Sequence, residues 1–103
     1  MNKIGIAEGS FEWALMYLKN GSRIRRRNWE NEESFIYLTT KSIVKADNLR
    51  EDTKQNLFNN EPVSDEETIT INAHIDMRVS KYHVCIGWIP EQIDMLSDDW
   101  ELV

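Results

Sequence analysis

The chain has 103 residues, a net charge of -6 and 18 acidic against 12 basic side chains, the size of one domain with room for one modest core. One cysteine, Cys85, closes no internal disulfide, the N-terminal stretch MNKIGIAEGSFEW lacks an apolar leader, and no apolar run reaches the ~20 residues of a membrane span. A cytoplasmic protein is expected, with no membrane partner and no general affinity for duplex nucleic acid, whose phosphates its surface repels.

The first element is SFEWALMYLKNG, residues 10 to 21, a helix of roughly three turns with Ser10 as N-cap and Gly21 as the residue past its end. Phe11, Ala14, Leu15 and Leu18 fall at i, i+3, i+4 and i+7 and make one apolar stripe. Trp13, Met16 and Tyr17 cluster on the opposite side. Trp13 and Tyr17 are therefore either the edge of the core or an outward subunit contact, and the second alternative predicts a homo-oligomer.

Next comes SRIRRRNW, residues 22 to 29, which holds four of the six arginines in a five-residue window of an otherwise acidic chain. RIRRRNW and SFIYLTT, residues 34 to 40, read as two strands of a hairpin. Strand alternation puts Arg25, Arg27 and Trp29 on one face and Ile24, Arg26 and Asn28 on the other. Arginine beside tryptophan offers a fork for phosphate and a flat surface for a base, while the plainer reading pairs the run with acids such as Glu32 and Glu33.

Residues 41 to 67 are polar and read as an insertion within the single domain 1–103, with a short helix between about 47 and 58 and a turn around Pro62. The clearest alternation, TITINAHIDMRV at 68 to 79, is long for one strand and predicts a break near Asn72. YHVCIGW, residues 82 to 88, predicts a strand with Tyr82, Val84, Ile86 and Trp88 on one face. Pro90 then opens a short helix with Ile89, Ile93 and Leu96 as its apolar stripe, and DDWELV ends in a short strand. The class is α+β: a small antiparallel sheet with the N-terminal helix packed on it and short additional helices.

Catalytic groups are sparse. His74 and Asp76 share a strand face but, at i and i+2, project in parallel rather than toward each other. Two histidines on different strands and one cysteine make no zinc site, and no phosphate loop or nucleophile motif occurs. No enzyme, metal or cofactor is expected.

The succession FEWALMYLKNG, RIRRRNW, AHIDM and WIPEQIDMLSDDWELV resembles the phage family that includes the Thoeris anti-defence proteins of the second type. The most specific part is the C-terminal string with Trp88, Pro90, Gln92, Asp94, Leu96, Asp98, Asp99 and Trp100. Asn28 and Ala73 stand where the family has glycine and proline. The resemblance implies a non-catalytic sponge in the cytoplasm of an infected bacterium, a dimer or tetramer with pockets between subunits that holds a cyclic ADP-ribose-type nucleotide intact. It assigns base stacking to Trp29 and Trp88, pyrophosphate to Arg26 or Arg27, and ribose or base edges to Asn28, Gln92 and Asp94. The alternative is an acidic protein-interaction module that inhibits a host protein directly.

Overall fold

The computed structural model describes residues 5–103, which run α1 (Phe11–Lys19), β1 (Ile24–Arg26), β2 (Phe35–Thr39), β3 (Ser42–Lys45), a 3-10 turn (Ala46–Asn48), α2 (Glu51–Phe58), β4 (Thr68–Ile71), β5 (His74–Ser80), β6 (His83–Cys85), α3 (Gln92–Leu96) and β7 (Trp100–Leu102). The fold is α+β, as its sequence predicts. The chain leaves strand geometry at Asn72 and Ala73, where the long alternation was expected to break. That break separates two compact units: Thr40–Ala73, and the rest of the described chain.

The larger unit is a five-stranded antiparallel sheet in the order β6-β5-β2-β1-β7. Register puts Ile24, Ile36, Met77, Ile75 and Trp100 on one face and Arg25, Glu101, Phe35, Tyr37, Arg78 and Asp76 on the other. The first set meets Ala14 and Leu18 of α1 in the core.

Both ends of α1 follow their sequence signals. The Ser10 hydroxyl accepts the Trp13 N–H at 3.2 Å, satisfying a first-turn donor. At the other end Gly21, at φ +91, closes a Schellman turn in which Gly21 N donates to Leu18 O and Ser22 N to Tyr17 O. Gly9, just before the helix, is required for a different reason: a Cβ there would stand 2.6 Å from the Asp98 carbonyl oxygen. That close passage lets Trp100 N donate to Gly9 O at 2.9 Å and ties the C-terminal strand to the start of the helix.

The tie bears on the second helix face, for which core edge and subunit contact were the two alternatives. Trp13 is not turned outward; it is 8% exposed and belongs to the core, and Tyr17 is half-buried with its ring 4.8 Å from that of Trp13. The cause is that α1 packs on β7 and α3 as well as on β1 and β2, so the chain's own C-terminal segment covers that second side.

The apolar stripe of α3 faces solvent: Ile89, Ile93 and Leu96 are 81%, 62% and 79% exposed. The inward side of this five-residue helix is polar instead. Its Asp94 is buried, accepts the Glu91 N–H as half of a capping box, and offers its backbone carbonyl to the Trp100 indole N–H at 2.9 Å. The helix starts at Gln92, two residues after Pro90. Before it, β6 stops at Cys85 rather than running to Trp88.

In the smaller unit β3 and β4 form a two-stranded antiparallel sheet, and β3 is a strand absent from the sequence reading. The helix expected from about 47 begins at Glu51, preceded by the 3-10 turn. No residue of α2 is buried, and Ala46 is the one fully covered residue of the unit, so apolar burial contributes little to it.

Candidate functional site: a tryptophan corner beside a braced arginine

β1 is only three residues long because the chain turns at Arg27 and Asn28, and one carboxylate makes that turn. Asp99 accepts the Arg26 Nε–H at 2.9 Å through Oδ1 and the Asn28 N–H at 2.9 Å through Oδ2, while its carbonyl accepts the Arg27 N–H. Arg26 also reaches Asp94, with Nη1 donating to Oδ1 at 3.1 Å. Arg26 is thus a buried guanidinium between two carboxylates. Burial pushes its pKa down, but hydrogen bonds and charge from Asp99 and Asp94 outweigh this and raise it, so it stays protonated. Burial likewise pushes the Asp99 carboxyl up, and the Arg26 and Asn28 hydrogen bonds outweigh that and hold it below the usual carboxylate range.

Arg25, on the other face of β1, clamps the loop that follows. Its Nη2 donates to Trp29 O at 3.0 Å and its Nη1 to Glu32 O at 3.1 Å, with Nε 3.9 Å from the Glu101 carboxylate. Arg27 lies 3.3 Å from the same carboxylate, but its side chain is 72% exposed. The acids that meet the arginine run are therefore Asp94, Asp99 and Glu101. Glu32 contributes only its backbone carbonyl.

Held this way, Trp29 packs edge-to-face on Trp100 with centroids 5.5 Å apart and on Trp88 at 6.4 Å. Trp88 and Trp100 are 6.3 Å apart, so the three rings form a triangle. Trp88 is brought there because its N–H donates to Ile75 O at 2.7 Å. Trp100 is the buried wall, while Trp29 and Trp88 keep part of their surface in solvent. Such T-shaped contacts add roughly 0.5–1.5 kcal/mol each beyond burial and fix the ring angles.

Arg26, Trp29, Trp88 and Asp94 are thus brought together, with Arg27 and Asn28 exposed on the turn beside them and Gln92 exposed on α3. Arg26 and Asp94 are both buried and engaged with each other. Trp100, Asp99 and Glu101 are the participants sequence reasoning missed as site members, although Asp99 and Trp100 stood in the C-terminal motif.

His74 and Asp76 flank Ile75, whose carbonyl holds Trp88, and depart from expectation. His74 Nδ1 is 2.7 Å from Asp76 Oδ1. The Asp76 carboxylate, 1% exposed, also accepts the Gly87 N–H at 2.9 Å and the Thr39 hydroxyl at 2.5 Å. Burial pushes its pKa up, and the donors, Thr39 first, outweigh that and leave it lowered. This joins β2, β5 and the turn after β6. Among the described residues no group of histidine, cysteine and acidic side chains is placed to hold a metal ion, and no helix is long and apolar enough to cross a membrane.

Two depressed carboxylates make stability acid-sensitive in a defined direction. Their contribution is complete above the unfolded pKa of about 4 and is lost as pH falls through the lower folded values. In Asp76→Asn the fall in urea midpoint below about pH 4 is expected to be shallower than in the wild type. Parallel acid profiles would show that Asp76 carries none of it.

The motifs that build this corner match a known family. The model of the Tad2-like family, the Thoeris anti-defense 2-like domain, matches residues 9–103. The chain belongs to that family. A similar curated relative is "Thoeris anti-defense 2" of Bacillus phage SP01, 29% identical in an alignment 97 residues long that covers 91% of this chain and 93% of the relative. The match to the Tad2-like model includes α1, the arginine turn and the whole C-terminal segment that supplies Trp88, Asp94, Asp99 and Trp100.

Proposed function

We propose that this protein blocks Thoeris anti-phage defence by sequestering a cyclic ADP-ribose-type signalling nucleotide without altering it. Family membership supports the biological setting. The observation that carries the chemistry is the rigid corner in which partly buried Trp29 and Trp88 stand against buried Trp100 beside the exposed guanidinium of Arg27. Trp29 and Trp88 wall the base, since an aromatic face accepts a purine with little geometric demand. Arg27 takes the pyrophosphate, because its fork suits phosphate oxygens and, unlike that of Arg26, opens to solvent. Asn28 and Gln92, both exposed, address ribose hydroxyls or base edges. The capture is non-catalytic.

The same reading includes self-association, which completes the corner into a closed pocket. Its site moves from Trp13 and Tyr17 to the outward stripe Ile89, Ile93 and Leu96, which directly adjoins the site residues Gln92 and Asp94 in sequence. A second copy of the chain is the occupant of that stripe, in a symmetric contact.

A filtered small-molecule extract from infected, defence-positive cells is expected to raise the thermal midpoint of the protein, and an extract from cells lacking the signalling enzyme is not. A ligand at about 100 times its dissociation constant adds roughly 2.7 kcal/mol, well within detection. A second reading, direct inhibition of a host protein, is favoured by the engagement of Arg25 and Arg26 within the fold. It predicts a shift only with the macromolecular fraction.

A further inference from the structure

The face of the five-stranded sheet away from α1 carries a feature unrelated to the tryptophan corner. Register sets Phe35 and Tyr37 of β2 beside Arg78 of β5 on that face, and Arg23 reaches the same place from just before β1. The Arg23 guanidinium lies 5.3 Å and that of Arg78 5.4 Å from the centroid of the Phe35 ring. Each lies within cation–π reach of the ring, an attraction that favours this position over free solvent. With Lys81 they line a cleft of about 440 Å³ that contains no carboxylate.

The absence of acids at this cleft is informative in so acidic a chain. The other four arginines, Arg25, Arg26, Arg27 and Arg50, each pair with a carboxylate. Arg23 and Arg78 pair with none among the described residues; Arg78 donates through Nε to Ser80 O at 3.3 Å, which leaves its two terminal nitrogens directed elsewhere. The uncompensated guanidinium groups of the chain are thus concentrated in one place, ordered, and joined by a lysine.

We propose that this cleft is a second anion site, separate from the tryptophan corner, which takes the diphosphate or phosphate-ester group of a small molecule. Two guanidinium forks are matched to phosphate oxygens, and a cleft lined by one sign of charge concentrates its counter-ion. A polymer is disfavoured, since a net charge of -6 repels a long polyanion. Phe35 is engaged by both arginines and offers no base a free platform, so the phosphate is the recognised group and Tyr37 is the aromatic neighbour left for a ring attached to it.

Calorimetric titration of the full chain with inorganic pyrophosphate and, separately, with adenosine diphosphate tests this. For both, a saturable site that persists in Arg27→Gln, and so lies outside the tryptophan corner, is expected. Equal affinities assign recognition to the diphosphate alone, and tighter adenosine diphosphate adds stacking on Tyr37; both uphold the site. Arg23→Gln and Arg78→Gln are each expected to weaken pyrophosphate about tenfold or more, the effect of losing charge-assisted hydrogen bonds. Arg78→Lys, which keeps the charge without the fork, should stay several-fold weaker, and Arg50→Gln should change nothing. Should Arg78→Gln fail to fold, Arg23→Gln at its exposed position carries the test. Absence of saturable binding by either ligand overturns the proposal. So does a loss in Arg27→Gln that Arg23→Gln and Arg78→Gln do not reproduce, because it puts the anion at the tryptophan corner.

Discussion

Arg26→Gln is expected to lower folding stability by about 3–5 kcal/mol, the cost of leaving one side of a buried ion pair without its partner. Here the orphaned side is double. Asp94 and Asp99 would both lose the guanidinium, and Asp99 also holds the turn at Asn28 while Asp94 caps α3. A domain of this size has about 5–15 kcal/mol in total, so the variant is expected to be partly unfolded at 37 °C. Arg26→Lys should recover part of the loss, since it keeps the charge but reaches one carboxylate rather than bridging two. Urea unfolding followed by circular dichroism reads the result. A wild-type midpoint in Arg26→Gln with nucleotide affinity abolished would show that Arg26 is a ligand group after all.

The second large effect is on assembly. Ile89→Glu combined with Ile93→Glu is expected to convert the proposed oligomer to a particle of one chain, 12.2 kDa, in sedimentation. Each isoleucine contributes about 1.5–3 kcal/mol when fully buried in a contact, and a symmetric interface counts the pair twice. The substitutions also set like charges against each other across the two-fold. Because both side chains face solvent in the protomer, its own fold should keep its urea midpoint within about 0.5 kcal/mol. A wild-type chain that sediments as a monomer would remove the stripe from the account, and with it the pocket shared between subunits.

The parts of the molecule that were legible beforehand are those governed by neighbours in sequence. Ser10 and Gly21 bracket α1 because capping is a matter of three or four residues. The alternation in β5 and the break at Asn72 were visible for the same reason. What failed depended on distant partners. The partners of the arginine run were sought nearby, at acids such as Glu32 and Glu33, whereas they lie 68 to 74 positions away, on α3, before β7 and on β7. Trp13 stayed open between core edge and outward contact because periodicity reports two apolar faces without saying that β7 and α3 return to the second.

The stripe of α3 is legible in the sequence but its direction is not: a helix of five residues is too short to be held by one stripe, and its buried side is Asp94. The strand β3 escaped notice because Ile43 and Val44 are the only β-branched pair in a polar stretch. For the site, the tryptophans were found and their third wall was not, since Trp100 declares itself only once Arg26 and Trp100 are paired across β1 and β7.

The central claim is capture without chemistry, and one measurement addresses it directly. The protein is incubated with the nucleotide product of a Thoeris signalling enzyme, freed of unbound ligand by gel filtration, and denatured by heat, and the released material is analysed by mass spectrometry. The account predicts recovery of the nucleotide at its original mass, in proportion to the protein, and still able to activate the defence effector. Recovery of a hydrolysed product in excess over protein, or of no nucleotide at all, would contradict it.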